Sequence, residues 1–141
     1  MIVYRLTNVE YINDLSGTGA KLYGGRWNPP GLPALYTTEH ISLAVLEILV
    51  HIKSYQRPFD YHLITIEIPD SVDLVAIDQQ KLTTNWRDDI AYGQLVGEEF
   101  LNAGQSLILK VPPDINEKES NCMINSAHPD AVKLKIRSSK I

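Results

Sequence analysis

Apolar and polar residues alternate along several stretches of this chain and predict β-strands. The clearest stretch is 61–68, where Ile64, Ile66 and Ile68 fall on one face. A period of two is typical of a half-buried strand. The sequence predicts further short strands, which we list in chain order as 2–6, 35–38, 74–77, 107–111, 121–125 and 132–137.

Two segments have helical character instead. The first runs from Glu39 to about Tyr55, with Thr38 as a candidate cap and Arg57-Pro58 as the stop, because proline cannot continue a helix. The second runs over 87–103 and ends at Gly104, since glycine is the usual residue after a helix. These are the two main predicted helices.

The remaining segments read as loops. The small and polar residues of 16–20 predict a flexible loop, and the prolines of 27–31 predict a rigid turn. Strands outnumber helices and do not alternate with them, so we expect a single α+β domain over 1–141 with mainly antiparallel sheet. The glycines do not form G-x-G-x-x-G, which disfavours a Rossmann dinucleotide site.

Composition narrows the class of protein. The 141 residues are 44% hydrophobic and 21% charged, as in an ordinary globular domain. A net charge of −4 argues against direct nucleic-acid binding. The single Cys122 excludes an internal disulfide, and the sequence shows neither a signal peptide nor a membrane-spanning run. We therefore expect a cytoplasmic protein without membrane contact.

Glu47 is the anomaly of the first predicted helix. From residue 41 to residue 50 only Ser42 and Glu47 are polar, and a buried carboxylate without a partner costs several kcal/mol. Glu47 therefore needs a cation or a ligand. Arg26, after the glycine pair, is the nearest candidate in sequence, and a purely structural Arg26–Glu47 ion pair is the alternative.

The helix carries one polar stripe. His40, Ala44, Glu47 and His51 share a face at helical spacing, while the other faces are apolar. Such a stripe points to a cavity or a polar partner. Glu47 with His51, joined by His40, is also a conceivable metal site, but a lone Glu-x-x-x-His is common by chance.

Two arginines suit an anionic ligand. The guanidinium fork of Arg26 binds phosphate oxygens bidentately, and Gly24 and Gly25 allow close backbone approach beside it. Arg5, on the first strand, would supply a second cation for a pyrophosphate. An edge-strand salt bridge is the alternative for Arg5, and for Tyr36 a core position with a satisfied hydroxyl.

These motifs, taken in order, resemble the RES domain family. The resemblance runs nearly end to end and rests on Tyr4-Arg5, Gly24-Gly25-Arg26-Trp27-Asn28, Tyr36, Leu43 to Glu47, Val111-Pro112 and Asn125 with His128-Pro129-Asp130. The family comprises toxins of bacterial RES–Xre toxin–antitoxin modules. It implies a fold similar to ADP-ribosyltransferase toxins and an enzyme that destroys NAD.

The resemblance also implies residue roles. Glu47, Arg26 and Tyr36 would be catalytic: Glu47 would stabilise the cationic sugar and Tyr36 would pack on nicotinamide or its ribose. Arg5, Arg26 and Tyr36 would bind NAD, and so, by the same resemblance, would Asn28 and Ser126. NAD is the substrate, so no separate cofactor and no metal are expected.

One position departs from the family pattern. The family has a serine after Val-Pro, and this chain has Pro113 there, which offers neither a hydroxyl nor an N–H. Ser126 would compensate or is an ordinary loop residue. Asn125 and His128 match the family tail, and both are also common in turns.

The expected function is cleavage of the nicotinamide–ribose bond of NAD, with water or phosphate as the acceptor. A mono-ADP-ribosyltransferase with a protein acceptor and a catalytically inactive binding domain are the alternatives, with a metallohydrolase further behind. The expected partner is an Xre-type antitoxin, and a homodimer within the toxin–antitoxin complex is a further expectation.

Overall fold

The computed structural model describes residues 1–51, 61–113 and 120–139, without the side chains of 47–51, 138 and 139. The helices are α1 (Thr18–Tyr23), α2 (Ile41–His51) and α3 (Ile90–Ala103). The strands are β1 (Ile2–Asn8), β2 (Leu35–Thr38), β3 (Tyr61–Glu67), β4 (Leu74–Ala76), β5 (Ile108–Val111), β6 (Asn121–Ile124) and β7 (Lys135–Ser139). Short 3-10 turns lie at Val9–Tyr11, Gln79–Lys81, Trp86–Asp88 and Pro129–Lys133.

In the described parts of the chain, seven strands form one sheet in the order β4-β5-β6-β2-β1-β3-β7. The pairing is antiparallel except between β4 and β5, which run parallel. The predicted α+β class with mainly antiparallel sheet and two main helices is confirmed, and α1 is a short addition to it. Because β1 pairs with both β2 and β3, Arg5 does not lie on an edge strand, and the edge-strand alternative for it was wrong.

The predicted loop at 16–20 was wrong in its second half. Thr18, Gly19 and Ala20 form the first turn of α1. Gly17 precedes it with a φ of 72°, a left-handed conformation that glycine adopts without strain. Ser16 and Thr18 hydrogen-bond through their hydroxyls, so local polar contacts order a segment that its composition marked as flexible.

The predicted helix starts were two or three residues early. Thr38 belongs to β2, its hydroxyl accepts a hydrogen bond from the backbone N–H of His40, and α2 begins at Ile41. Asp89 caps α3 by accepting from the N–H of Tyr92. Gly104 ends α3 as predicted, while the predicted end near Tyr55 lies outside the described residues.

The predicted strand at 132–137 begins only at Lys135, because Pro129–Lys133 forms a 3-10 turn. The sequence predicted a first helix that is buried on all its apolar faces, and this was wrong for one face. Ile41, Val45 and Leu46 are about half exposed, and only Leu43 and Ala44 of the described side chains are buried. His40 is exposed and directly precedes the helix, where its carbonyl accepts a hydrogen bond from the backbone N–H of Ala44.

Strand register divides the core between the two faces of the sheet. Leu35, Ile108 and Ile124 align across three strands and belong to a cluster with the isoleucines of β3. The next row, Tyr36, Met123 and Leu109, faces the opposite side. There it packs with Trp27, Trp86 and residues of α3.

Candidate functional site

A cleft lies on the side of the sheet that faces α3, and its floor is set by register. Val111 pairs with Asn121, Asn121 with Thr38, and Thr38 with Tyr4. Paired residues point to the same face of a sheet, and all four line the cleft. Four strands that are remote in sequence therefore build one surface.

The cleft opens where two central strands separate. The register of β1 with β2 is the single pair Tyr4–Thr38, whereas β1 pairs with β3 over seven residues. On either side of the gap stand Arg5 of β1 and Tyr36 of β2. The cleft volume is about 370 Å³, within the range of small-molecule sites.

Tyr36 is fixed through its hydroxyl group. The hydroxyl donates to Oδ1 of Asn28 at 2.6 Å and accepts from the backbone N–H of Trp27 at 2.9 Å. Burial raises the pKa of Tyr36 to about 12. A side chain on Gly25 would overlap both polar atoms of this pair, so glycine is required there. The hydroxyl is occupied, and Tyr36 offers a ligand its ring.

Asn28 is fully buried and lies outside the cleft lining. Its Nδ2 donates to the carbonyls of Ala20 and Leu32, at 2.9 and 3.0 Å. In this structure Asn28 therefore ties the turn together and positions Tyr36; it does not reach the cleft as the direct ligand contact that the sequence predicted.

Arg26 lines the cleft from the turn between α1 and β2. Its Nη2 donates to the carbonyl of Trp86 at 2.6 Å. Its guanidinium carbon lies 4.9 Å from the ring centroid of Trp27 and 5.4 Å from that of Trp86. Such cation–π contacts stabilise a held guanidinium, so Arg26 is preoriented.

Helix α3 supports this turn, a contribution that the sequence analysis missed. The Nε2 of Gln94 donates to the carbonyl of Gly25 at 2.9 Å. A side chain on Gly97 would overlap the carbonyl of Trp27, and one on Gly93 would overlap Arg26. Two glycines four residues apart in a helix were the available signal, since glycine destabilises a helix interior.

Arg5 lies at the cleft and reaches toward the loop before α1. Its Nη1 donates to the backbone carbonyl of Asp14 at 3.0 Å. Burial lowers the pKa of Arg5, and the nearby negative charge of Asp14 opposes that effect. The cleft therefore brings Arg5, Arg26 and Tyr36 together. Their roles toward NAD stay predictions.

Pro112 and Pro113 line the cleft, so the position at which the family has its serine is at the site. Ser126 lies elsewhere: its hydroxyl donates to the carbonyl of Ser16 at 2.8 Å. It therefore anchors the loop before α1 and does not replace a hydroxyl at Pro113. Asn125 and His128 make turn contacts, accepting from the N–H groups of Ala127 and Asp130.

The side chains of Glu47 and His51 lie outside the described residues. Ala44 lines the cleft, and position 47 follows it by three residues in the same helix. Among the side chains that the structure describes, no group of three or more His, Cys, Asp or Glu residues is arranged to hold a metal ion. In the same part of the chain, no helix has the length and apolar character needed to cross a membrane.

Fold and site together define a single-domain α+β protein whose split sheet presents two arginines and aromatic rings in one cleft. Residues 2–141 match the model of the RES domain, and the chain belongs to that family.

Several known proteins are similar over most of this chain. "Toxin Res" of Photorhabdus laumondii is 40% identical over 134 residues, which cover 92% of this chain and 85% of the relative. "Prs ADP-ribosylating toxin" of Sphingobium sp. strain YBL2 is 37% identical over 129 residues, with coverages of 89% and 80%. A chain in the crystal structure of the M. tuberculosis MbcT–MbcA toxin–antitoxin complex superposes with a TM-score of 0.77 at 24% identity, covering 99% of this chain and 82% of that one. This last match shows a shared fold.

Proposed function

We propose that this protein is the toxin of a toxin–antitoxin module and consumes NAD by cleaving its nicotinamide–ribose bond. The observation that carries this proposal is the convergence of Arg5, Arg26 and Tyr36 on one cleft of a RES domain. Two guanidinium groups match a pyrophosphate, which carries two negative charges. The rings of Tyr36 and Tyr4 offer flat surfaces for a nicotinamide or its ribose.

The reaction needs little covalent chemistry from the protein. The glycosidic bond breaks, its electron pair leaves with the nicotinamide nitrogen, and that nitrogen loses its positive charge. The ribose carbon becomes cationic and is captured by water, which then gives up a proton, or by phosphate. Positioning and electrostatic stabilisation are sufficient for such a step.

Each residue has a role in this proposal. Arg5 and Arg26 hold the pyrophosphate, and Arg26 is held in place by Trp86. Tyr36 packs on the nicotinamide end. Glu47, on the helix that contributes Ala44 to the cleft, stabilises the positive charge on the ribose.

A second candidate is transfer of ADP-ribose to a protein. The same bond breaks, and a side chain of a target protein takes the place of water. The observation that favours this candidate is the relative described as an ADP-ribosylating toxin, which is 37% identical to this chain. Phosphorus NMR of NAD incubated with the protein separates the two, because transfer requires an added acceptor protein.

Pro112 and Pro113 line the cleft, and for this reason we keep a catalytically inactive binding domain as an alternative. Proline supplies no hydroxyl there, and Ser126 is used at another place. A purified protein that leaves NAD intact, in the presence and absence of phosphate, would support that alternative.

Relatives that carry the name "Toxin Res" support the module, and an Xre-type antitoxin is the partner that we propose. A carboxylate-bearing segment of the partner, such as its C-terminal end, would occupy the cleft near Arg5 and Arg26 in place of the phosphates. We place this pair in the cytoplasm, where NAD is available to both.

Glu47→Gln provides the direct test. The substitution keeps the shape of the side chain and removes its charge, so we expect the rate of NAD consumption to fall about a hundredfold or more. Glu99→Gln, at an exposed position of α3, is the matched control and should act like wild type. A Glu47→Gln protein that folds and consumes NAD at the wild-type rate would refute the assignment of Glu47.

A further inference from the structure

The start of α3 encloses the guanidinium group of Arg26. Its Nη2 donates to the carbonyl of Trp86 at 2.6 Å, and its central carbon lies 4.9 Å and 5.4 Å from the ring centroids of Trp27 and Trp86. Gly93, in the first turn of α3, is buried, and a side chain there would overlap Nη1 of Arg26. Two rings, a carbonyl and bare helix backbone therefore surround a guanidinium that lines the cleft.

We infer that Gly93 is a positioning residue of the proposed NAD site. The absence of a side chain at this position lets the guanidinium of Arg26 lie against α3 in the orientation that binds the pyrophosphate. The inference rests on the proposed function, since it concerns the placement of a residue that holds NAD. Gly93 does not line the cleft itself and acts through Arg26.

The two glycines of α3 differ in what a side chain would displace. At Gly97 the first atom that it would meet is the backbone carbonyl oxygen of Trp27, which moves only with the whole turn. At Gly93 the first atom belongs to the end of the Arg26 side chain, which turns away at low cost, and the carbonyl oxygen of Arg26 follows at 2.9 Å. Gly97 therefore serves the fold, and Gly93 serves the orientation of the guanidinium.

A small displacement of the guanidinium is enough to weaken binding. A methyl group at position 93 would push Nη1 of Arg26 away by about 1 Å before the two atoms reached ordinary contact. Bidentate binding of phosphate oxygens depends on a fixed planar fork. Because the rings of Trp27 and Trp86 also fix the guanidinium, it cannot move without losing these contacts or its hydrogen bond to Trp86.

Gly93→Ala tests this role. Calorimetric titration with inorganic pyrophosphate measures anion binding without turnover, and steady-state kinetics with NAD give KM and kcat. Gly19→Ala makes the same change in α1, where a side chain meets nothing within 4 Å, and is the matched control. Thermal denaturation followed by circular dichroism shows whether each variant folds.

We expect Gly93→Ala to weaken pyrophosphate binding about tenfold, the effect of losing one charged hydrogen bond. The KM for NAD should rise by a similar factor with kcat nearly constant, because the pyrophosphate is held equally before and during bond cleavage. Gly19→Ala should bind pyrophosphate and NAD as wild type does. Unchanged pyrophosphate binding in a folded Gly93→Ala protein, or no binding by wild type, would overturn the inference.

The same change in an Arg26→Lys background shows whether Gly93 acts through Arg26. Lysine lacks Nη1, the atom that the methyl group would displace, so we expect Gly93→Ala to add no further rise in KM there. Two effects that multiply would show that Gly93 acts independently of the guanidinium and would overturn the inference.

The double variant also decides the result if Gly93→Ala alone does not fold. A folded double variant supports a clash with the guanidinium, whereas an unfolded one would show that contact with the Arg26 backbone dominates and would overturn the inference. A wild type that binds pyrophosphate, weakens with Gly93→Ala and leaves NAD intact would contradict the proposed function and support this placement of Arg26.

Discussion

At the scale of single residues, Tyr36 shows how one side chain serves both stability and site geometry. Its hydroxyl joins Asn28 to the backbone of Trp27, and Tyr36 lines the cleft. The buried hydroxyl stays neutral, because burial raises its pKa to about 12 from the ordinary 10. The protein therefore loses stability when the pH rises through this range.

This loss of stability at high pH follows from proton linkage. Above pH 10 the unfolded chain releases the Tyr36 proton while the folded chain keeps it, so unfolding becomes more favourable until about pH 12. Two pK units correspond to about 3 kcal/mol. We expect Tyr36→Phe to lose less stability than wild type between pH 9 and pH 11 in urea denaturation.

Tyr23→Phe is the matched control for that measurement, since Tyr23 is 84% exposed. It should lose stability between the two pH values as wild type does. An identical pH dependence in Tyr36→Phe and wild type would contradict the burial of the Tyr36 hydroxyl.

Arg26 is the residue whose shape matters as well as its charge. Lysine keeps the charge but not the planar fork that stacks on Trp27 and Trp86 and binds two oxygens. We expect Arg26→Lys to raise the KM for NAD about tenfold, the cost of one charged hydrogen bond. Arg137→Lys, at an exposed ion pair with Glu67, is the control. A normal KM with a large fall in melting temperature would instead indicate that Arg26 stabilises the fold and does not bind NAD.

At the scale of elements, α3 supports the turn between α1 and β2 that carries Arg26. Gly93 and Gly97 let the helix approach the backbone of Arg26 and Trp27, and Gln94 fixes the carbonyl of Gly25. Each glycine costs the helix about 1 kcal/mol relative to alanine. That cost is offset by packing that a larger residue would prevent.

Gly97→Ala and Gly19→Ala should therefore act in opposite directions. At Gly97 the added methyl group overlaps the carbonyl of Trp27, and we expect a loss of about 1–3 kcal/mol. At Gly19 the methyl group meets open space, and we expect a gain of up to about 1 kcal/mol. Urea denaturation of both variants measures the difference, and two changes of the same sign would contradict this account of α3.

At the scale of the whole molecule, the local charge of the cleft is opposite in sign to the net charge of the chain. The chain carries a formal charge of −4, yet the cleft presents Arg5 and Arg26. Complementarity is set by local charge, so an acidic protein is able to receive an anionic ligand or an acidic partner segment here.

The partner prediction belongs to this scale. We expect expression of this chain alone to arrest growth. If a neighbouring gene encodes the proposed antitoxin, its co-expression should relieve the arrest and give a complex on size-exclusion chromatography. The mass of that complex reports whether it contains a homodimer of this chain. Glu47→Gln should form the same complex without arresting growth. Equal arrest with and without the neighbour, and no complex, would rule out direct inhibition by it.

The sequence by itself determined the fold class and the positions of most elements. Strand 61–68 was readable because Ile64, Ile66 and Ile68 alternate in one local stretch, and Gly104 ended α3 as its local chemistry requires. It also picked out Arg5, Arg26 and Tyr36, which line one cleft. Local periodicity and motif spacing contain that information.

Only the tertiary structure decided how those residues meet. The cleft depends on register across four strands and on the single pair that joins β1 to β2, and register between remote strands leaves no mark in a local pattern. The burial of Asn28 and the hydrogen bond of Ser126 to the carbonyl of Ser16 follow from packing in the same way. A side chain's role at a site depends on what surrounds it in space, and those neighbours come from every part of the chain.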